Sequence, residues 1–179
     1  MSTIVTTNIQ SDTIKHSGGT TAMTIDSAGR VSQPAKPAFS VRVGATTTGK
    51  DYTSGPQALN EFTLIEFNIG NHLVLNAGNA KFTAPVNGIY HFSYQIQLGA
   101  MTASPHLSGY LITDSTFSGP HNAYYRSIQD GQNEDYITLS CSATIQLNAN
   151  QTMETGIYVT GDTTTQVRQG TRFMGHMVS

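Results

Sequence analysis

The chain has 179 residues, a formal charge of −2 and charged residues at only 11% of the total, against roughly 25% in an average globular protein. This length fits one full domain and a tail, and is too short for two full domains. The low charge leaves no basic stripe that could neutralise phosphates, so we expect no binding to nucleic acid. Hydrophobic residues at 37% exclude a disordered chain, and the frequent threonine, tyrosine, isoleucine, valine and phenylalanine residues favour strands.

The first 37 residues form the predicted N-terminal arm. Gly18-Gly19 and Ala28-Gly29 are turn signals, and Pro34 and Pro37 predict a hinge before the main domain. An arm this small cannot bury its own apolar side chains, so we expect it to pack on its own copies in a trimer or on another protein. The apolar residues expected to dock are Ile9, Ile14, Met23, Ile25 and Val31.

The start of the chain, MSTIVTTNIQSD, has no basic region followed by an apolar stretch. We therefore expect no signal peptide. No segment approaches 18 consecutive apolar residues, so we also expect no membrane span.

From Ala38 to the C terminus, strand signals alternate with turn residues. The clearest strand covers residues 88–98, where aromatic and aliphatic side chains alternate strictly with polar ones, as in a strand with one buried face. Residues 136–147 repeat this pattern around Cys141. Phe62 and Leu64 alternate with Ile65 and Phe67, which predicts that Leu64 and Phe67 lie on opposite sides of a strand. Many short strands without a helical period predict a sandwich or jelly roll.

Residues 62–94 read FTLIEFNIGNHLVLNAGNAKFTAPVNGIYHFSY. This stretch resembles the globular head of the complement component 1q family, which shares its fold with tumour necrosis factor, and FTAPVNGIYHFSY is its most specific part. Two further segments, PAFSVRV at 37–43 and RFMGHMV at 172–178, resemble the family's first and last strands. The Leu73-to-Phe82 spacing is two residues longer than in the family pattern, which affects the intervening hairpin loop. The residues that carry the motif are Phe62, Asn68, Leu73, Phe82, Gly88, Tyr90, Phe92, Tyr94, Phe173 and Gly175.

The resemblance covers residues 38–179. It implies an all-β, ten-stranded antiparallel jelly-roll sandwich that assembles as a homotrimer. The family's collagen stalk is absent, because the sequence has no Gly-X-Y repeat. Tyr124, Tyr125 and Tyr136 are not needed by the clearest core alternation, so they either line the trimer interface or complete the core.

The sequence predicts no catalytic, cofactor or metal site. It contains no G-x-S-x-G motif, no phosphate loop and no Cys/His pair, and none of its six histidines follows another at a metal-ligand spacing. His91 and His176 fall on outward-facing sides of predicted strands, so a threefold histidine site is the alternative. Glu134-Asp135 follows a turn, and some family members bind calcium near such loops; a solvated turn is the favoured interpretation. Nothing singles out a carboxylate pair for glycoside hydrolysis.

The arm sequence NIQSDTIKHSGGTTAMTIDSAGRV resembles a short module near the N termini of fibre and structural proteins of marine and cyanobacterial phages. With no signal peptide expected, this resemblance favours a protein of the virion surface over a secreted recognition protein. We expect a non-enzymatic trimeric knob, either a capsid decoration or a short fibre, docked by its arm to other virion proteins. One alternative is a receptor-binding tail-fibre tip that recognises a host glycan or protein. Another, of a different class, is a polysaccharide-degrading enzyme.

Overall fold

The computed structural model describes residues 11–54, 56–99, 106–113 and 136–179, together with the backbone of 123–130. Every regular element within these ranges is a β-strand, and they contain no helix long and apolar enough to cross a membrane. The chain divides into two compact units, Met1–Lys36 and Pro37–Ser179.

The N-terminal unit contains a three-stranded antiparallel sheet. Its strands lie in the order β1 (Thr13–Lys15), β2 (Thr21–Ile25) and β3 (Val31–Ser32). Asp26 closes the second turn, because its carboxylate accepts hydrogen bonds from the backbone N–H groups of Ala28 at 2.9 Å and Arg30 at 3.0 Å.

Two antiparallel sheets form the C-terminal unit. In chain order its strands are β4 (Ala38–Arg42), β5 (Gln57–Ala58), β6 (Leu64–Ile69), β7 (Leu73–Asn76), β8 (Asn79–Thr83), β9 (Gly88–Gly99), β10 (His106–Thr113), β11 (Ala123–Asp130), β12 (Tyr136–Leu147), β13 (Thr152–Val159), β14 (Gln166–Val167) and β15 (Arg172–Met177). The first sheet has the order β11-β10-β13-β8-β7, with β5 added to β13. The second has the order β12-β9-β15-β4-β6, with β14 added to β9.

This arrangement confirms the predicted all-β jelly-roll architecture. The number of strands is not confirmed as ten, because the described residues of this unit form twelve strands, of which β5 and β14 have two residues each.

Both sheets contribute to one apolar core. The predicted alternation over residues 88–98 and 136–147 is confirmed, since every second residue of β9 and β12 is buried or packs against the core. Aromatic rings fill its centre: the ring centroid of Phe39 lies 5.3 Å from that of Phe82 and 4.9 Å from that of Phe173. Cys141 packs at the edge of this core, and partial burial raises the pKa of its thiol.

The β7–β8 hairpin accommodates the long spacing between Leu73 and Phe82. These residues lie directly opposite each other, and the strands pair down to Asn76 and Asn79. Ala77 and Gly78 alone form the turn, and their φ angles are 47° and 84°. Two positive φ angles in succession give the local twist that joins antiparallel strands with a two-residue loop.

A glycine lets the last strand approach the aromatic core. A Cβ on Gly175 would lie 2.5 Å from a ring carbon of Phe92 and 2.7 Å from one of Phe39. Distances this short are repulsive, so a side chain at this position forces the two rings apart.

We therefore expect Gly175→Ala to lower the free energy of unfolding by about 1–3 kcal/mol, the usual range for an overpacked core. Urea denaturation followed by far-UV circular dichroism measures this change. Ser142→Ala, at an exposed position of the same sheet, is the matched control, and its effect should stay within about 0.5 kcal/mol. An unchanged midpoint for Gly175→Ala would show that the rings move aside without cost.

Candidate functional site

The outward face of the second sheet, the side turned away from the core, is the candidate functional site. Its side chains alternate with the core residues of the same strands, and the antiparallel register aligns them in rows across β6, β4, β15, β9 and β12. The middle row is Phe67, Ser40, Met174, Ser93 and Ser142. The row on one side is Leu64, Arg42, Arg172, Gln95 and Ser140. The row on the other side is Ile69, Ala38, His176, His91 and Thr144.

The β6 end of this face is apolar and exposed. Leu64, Phe67 and Ile69 lie on this face and are 43%, 48% and 44% exposed, whereas Ile65, also 43% exposed, is opposite the core residue Val41 on the other side of the strand. Met174 continues the patch onto β15 and is also exposed. β6 is the last strand in the order of its sheet, and an exposed apolar edge strand is a surface that monomeric proteins normally avoid.

The prediction that Leu64 and Phe67 lie on opposite sides of β6 is wrong. The register shifts between Ser40 and Val41, so that Phe67 is opposite Ser40 while Leu64 is opposite Arg42. Glu66 is the additional residue on β6, and one additional residue reverses the side on which the following side chains fall. Both Leu64 and Phe67 therefore belong to the outward face, which enlarges its apolar patch.

The β9 and β12 end of the face is polar and uncharged. A shallow recess of about 500 Å³ lies between these strands and β15, lined by Ser93, Gln95, Ser140 and Arg172 among others. A second recess of about 410 Å³ lies beside it, against Phe67, Met174 and the rings of His91 and His176. The face thus combines an apolar edge, two recesses and a surface of serine, threonine and glutamine.

Glu66 forms ion pairs with the two arginines of the outward face, Arg42 and Arg172. Its carboxylate accepts a hydrogen bond from Ser40 Oγ at 2.6 Å and from Arg172 Nη2 at 2.8 Å, and Arg42 Nε lies 3.3 Å away. The bond from Ser40, and then the charges of Arg172 and Arg42, hold the pKa of Glu66 below its ordinary value. The carboxylate is thus kept ionised, and it offsets part of the positive charge of the two arginines.

We expect Ser40→Ala to raise the pKa of Glu66 towards its ordinary value of 4.5, because it removes the strongest contact that favours the ionised form. NMR titration of the side-chain carboxyl carbon measures this shift. The lowered pKa in the folded state also means that these contacts stabilise the fold above pH 4.5 and that their contribution is lost as the pH falls through the lowered pKa.

Ser93→Ala is the matched control for this titration, since Ser93 lies in the same row but on β9. It should leave the pKa of Glu66 unchanged. An equal change in both variants, or none in Ser40→Ala, would contradict the role assigned to Ser40.

The motif residues of the main domain lie behind the site. Seven of them are core residues: Phe62, Leu73, Phe82, Tyr90, Phe92, Tyr94 and Phe173. Asn68 joins the end of β6 to β7, because its side-chain amide donates to Leu73 O at 2.8 Å and accepts from Leu73 N at 3.1 Å. Gly88, like Gly175, marks a close approach, since a Cβ there would lie 2.8 Å from Met177 Cε. These residues position the face and contribute no side chain to its rows.

Of the three tyrosines predicted for the interface, Tyr136 lies on the outward face. It begins β12, is 59% exposed, and has the guanidinium carbon of Arg168 4.8 Å from its ring centroid. Tyr124 and Tyr125 belong to β11, of which only the backbone is described. The assignment of the three tyrosines to a trimer interface stays a prediction.

Four of the five arm residues predicted to dock lie within the described residues, and they share one face of the arm's sheet. Ile14 is opposite Met23, and Ile25 is opposite Val31. Met23 and Ile25 are two residues apart on one strand, so all four point the same way. Ile14 and Val31 are exposed. Ile9 lies outside the described residues.

The sequence did not reveal that His91 and His176 are neighbours. They are directly opposite on β9 and β15, with ring centroids 5.5 Å apart. Their outward positions could be read from the alternation, but their proximity depends on the order of strands in the sheet. The part of the chain that the structure describes contains no group of three or more His, Cys, Asp or Glu side chains able to hold a metal ion.

Two antiparallel sheets around an aromatic core, with a largely uncharged and partly apolar outer face, define a jelly-roll head domain. Residues 38–178 match the family model of the C1q domain, and the chain therefore belongs to the C1q domain family. Domains of this family are typically non-enzymatic and form homotrimers.

Solved structures of this family and its tumour necrosis factor relatives share the fold at low sequence identity. The globular domain of zebrafish complement 1qA protein is 14% identical with a TM-score of 0.58, over 80% of this chain and 98% of that one. Eiger TNF from S. frugiperda is 12% identical with a TM-score of 0.56, over 79% and 91%. Murine APRIL is 10% identical with a TM-score of 0.55, over 79% and 98%. Comparison with curated protein sequences gave no match.

Proposed function

We propose that this chain is a non-enzymatic trimeric knob on the surface of a phage virion, docked to other virion proteins by its N-terminal arm. The main support for a trimer is the exposed apolar patch that β6 and Met174 form on the outward face. The phage setting rests on the resemblance of the arm to modules of phage fibre and structural proteins. Capsid decoration and a short fibre are the two forms that the knob takes in this proposal.

Two further copies of the chain are the partners that best fit the outward face. Burial of apolar surface stabilises an interface by about 25 cal/mol per Å² before the costs of association, and the β6 patch supplies such surface. The opposite end of the face carries uncharged polar side chains, and Glu66 offsets part of the charge of Arg42 and Arg172. Few unpaired charges therefore have to be desolvated or brought together when identical faces meet.

We expect the wild-type protein to have three times the chain mass of 19.2 kDa in sedimentation equilibrium, and Phe67→Asp to shift it towards the single chain. The new carboxylate would be buried in the trimer without a partner. Val74→Asp is the matched control, because Val74 is 58% exposed but belongs to β7 in the first sheet.

Val74→Asp should remain trimeric. A wild-type protein with the mass of one chain would reject the trimer. Equal dissociation of both variants would reject the assignment of the interface to the outward face.

The apolar face of the arm supports docking. Within the described part of its unit, Ile14 and Val31 remain exposed, and a sheet with strands of three, five and two residues is too small to be stable without further packing. A partner surface that covers the Ile14, Met23, Ile25 and Val31 face would supply that packing and attach the knob.

We expect Ile25→Asn to reduce the number of copies retained on purified phage particles, because it places an amide on the apolar face. Thr24→Asn is the matched control, since Thr24 is the adjacent residue and lies on the other face of the sheet. Quantitative mass spectrometry of the particles measures retention, and sedimentation checks that both variants are still trimeric.

Equal retention of the two variants would show that this face does not dock the knob. A wild-type protein that is absent from the particles would reject the virion assignment. The copy number in the same particles separates capsid decoration, which requires many copies, from a fibre, which requires few.

A further inference from the structure

A pair of imidazole rings projects from the outward face of the second sheet. His91 on β9 is directly opposite His176 on β15, and opposite residues of antiparallel strands have Cβ atoms about 4.5–5.5 Å apart. The ring centroids are 5.5 Å apart, with an angle of 44° between the ring planes. The strand pairing fixes both Cα positions, so the two rings are close together in the folded protein before any ion binds.

Thr144 holds one of the two rings. Its Oγ1 lies 3.1 Å from Nδ1 of His91, and the two residues are opposite each other in the β12–β9 ladder. When Nδ1 is the donor in this bond, the lone pair is on Nε2, which is then the ligand atom. Histidines that bind metals usually have their second ring nitrogen held in this way.

The surroundings favour a borderline or soft cation over magnesium or calcium. The recess beside the pair is also lined by Met174 and Ser93, so the side chains near the rings are a thioether and a hydroxyl. Glu66, the acidic residue of the β6 bulge, is already engaged by Ser40 and Arg172. Imidazole suits copper, nickel and zinc, whereas magnesium and calcium require oxygen ligands.

We propose that His91 and His176 bind one divalent transition-metal cation per chain, with copper(II) bound more tightly than nickel or zinc. Copper(II) has the highest affinity of the divalent first-row ions for nitrogen sites. Two imidazole nitrogens come from the protein and water completes the coordination. Both ligands belong to one chain, so binding requires no residue of a second copy, although the site lies on the face that the proposed trimer covers.

Titration of the full chain, freed of metal with a chelator, with copper(II) chloride tests this site. Calorimetry near pH 7.5 should give one copper ion per chain, and electron paramagnetic resonance should show two nitrogen ligands. His91→Asn and His176→Asn should each weaken binding roughly tenfold or more. Thr144→Val, which keeps both ligands but releases the His91 ring, should weaken it by no more than about tenfold, the lower end of the effect of losing an outer contact.

His72→Asn is the matched control, since His72 lies before β7 and outside the rows of the face. Binding that is absent in the wild type, or that falls equally in His72→Asn and His91→Asn, would overturn the proposal. So would a paramagnetic spectrum that shows a single nitrogen ligand. Circular dichroism and sedimentation of each variant report folding and assembly, so a failure of the proposed trimer is seen separately from a failure of metal binding.

Discussion

The insertion of β15 between β4 and β9 is the contact on which the rest of the structure depends. β15 is the last strand of the chain, yet it occupies the middle of the second sheet and pairs with β4 on one side and β9 on the other. Gly175 makes this position accessible, because only a residue without a side chain leaves room for the rings of Phe39 and Phe92. The second sheet is therefore complete only when β15 is in place.

The same register determines what the outward face can do. With Phe173 in the core, Met174 and His176 must point outward, and the ladder places them beside Ser93 and His91. A slip of one residue would bury these side chains and expose Phe173. Core packing thus selects the register, and the register in turn brings together side chains that are distant in sequence. The face is a consequence of the core, although none of its side chains contributes to that core.

The sequence was most informative where one strand could be interpreted on its own. The alternation in residues 88–98 specifies a buried side for β9 without reference to any other strand, because water and core select opposite residues. β6 could not be interpreted in this way, since the bulge at Glu66 depends on its pairing with β4. The His91 and His176 pair was hidden for a related reason: each outward position could be predicted, but strand order is a property of the whole sheet.

The chain shares its fold, but little of its sequence, with the solved structures to which it is similar. Structures at 10–14% identity show the shared fold alone, and in this chain it is ring packing that constrains the core residues. The outward positions, such as Phe67 and His176, experience no such constraint from the interior. What this chain assembles with and binds must therefore be inferred from its own surface residues. The arm extends this argument, because its apolar face lies in Met1–Lys36, before the C1q match begins at residue 38. The comparisons thus establish the architecture, whereas the proposed docking depends on a segment that the family match does not cover.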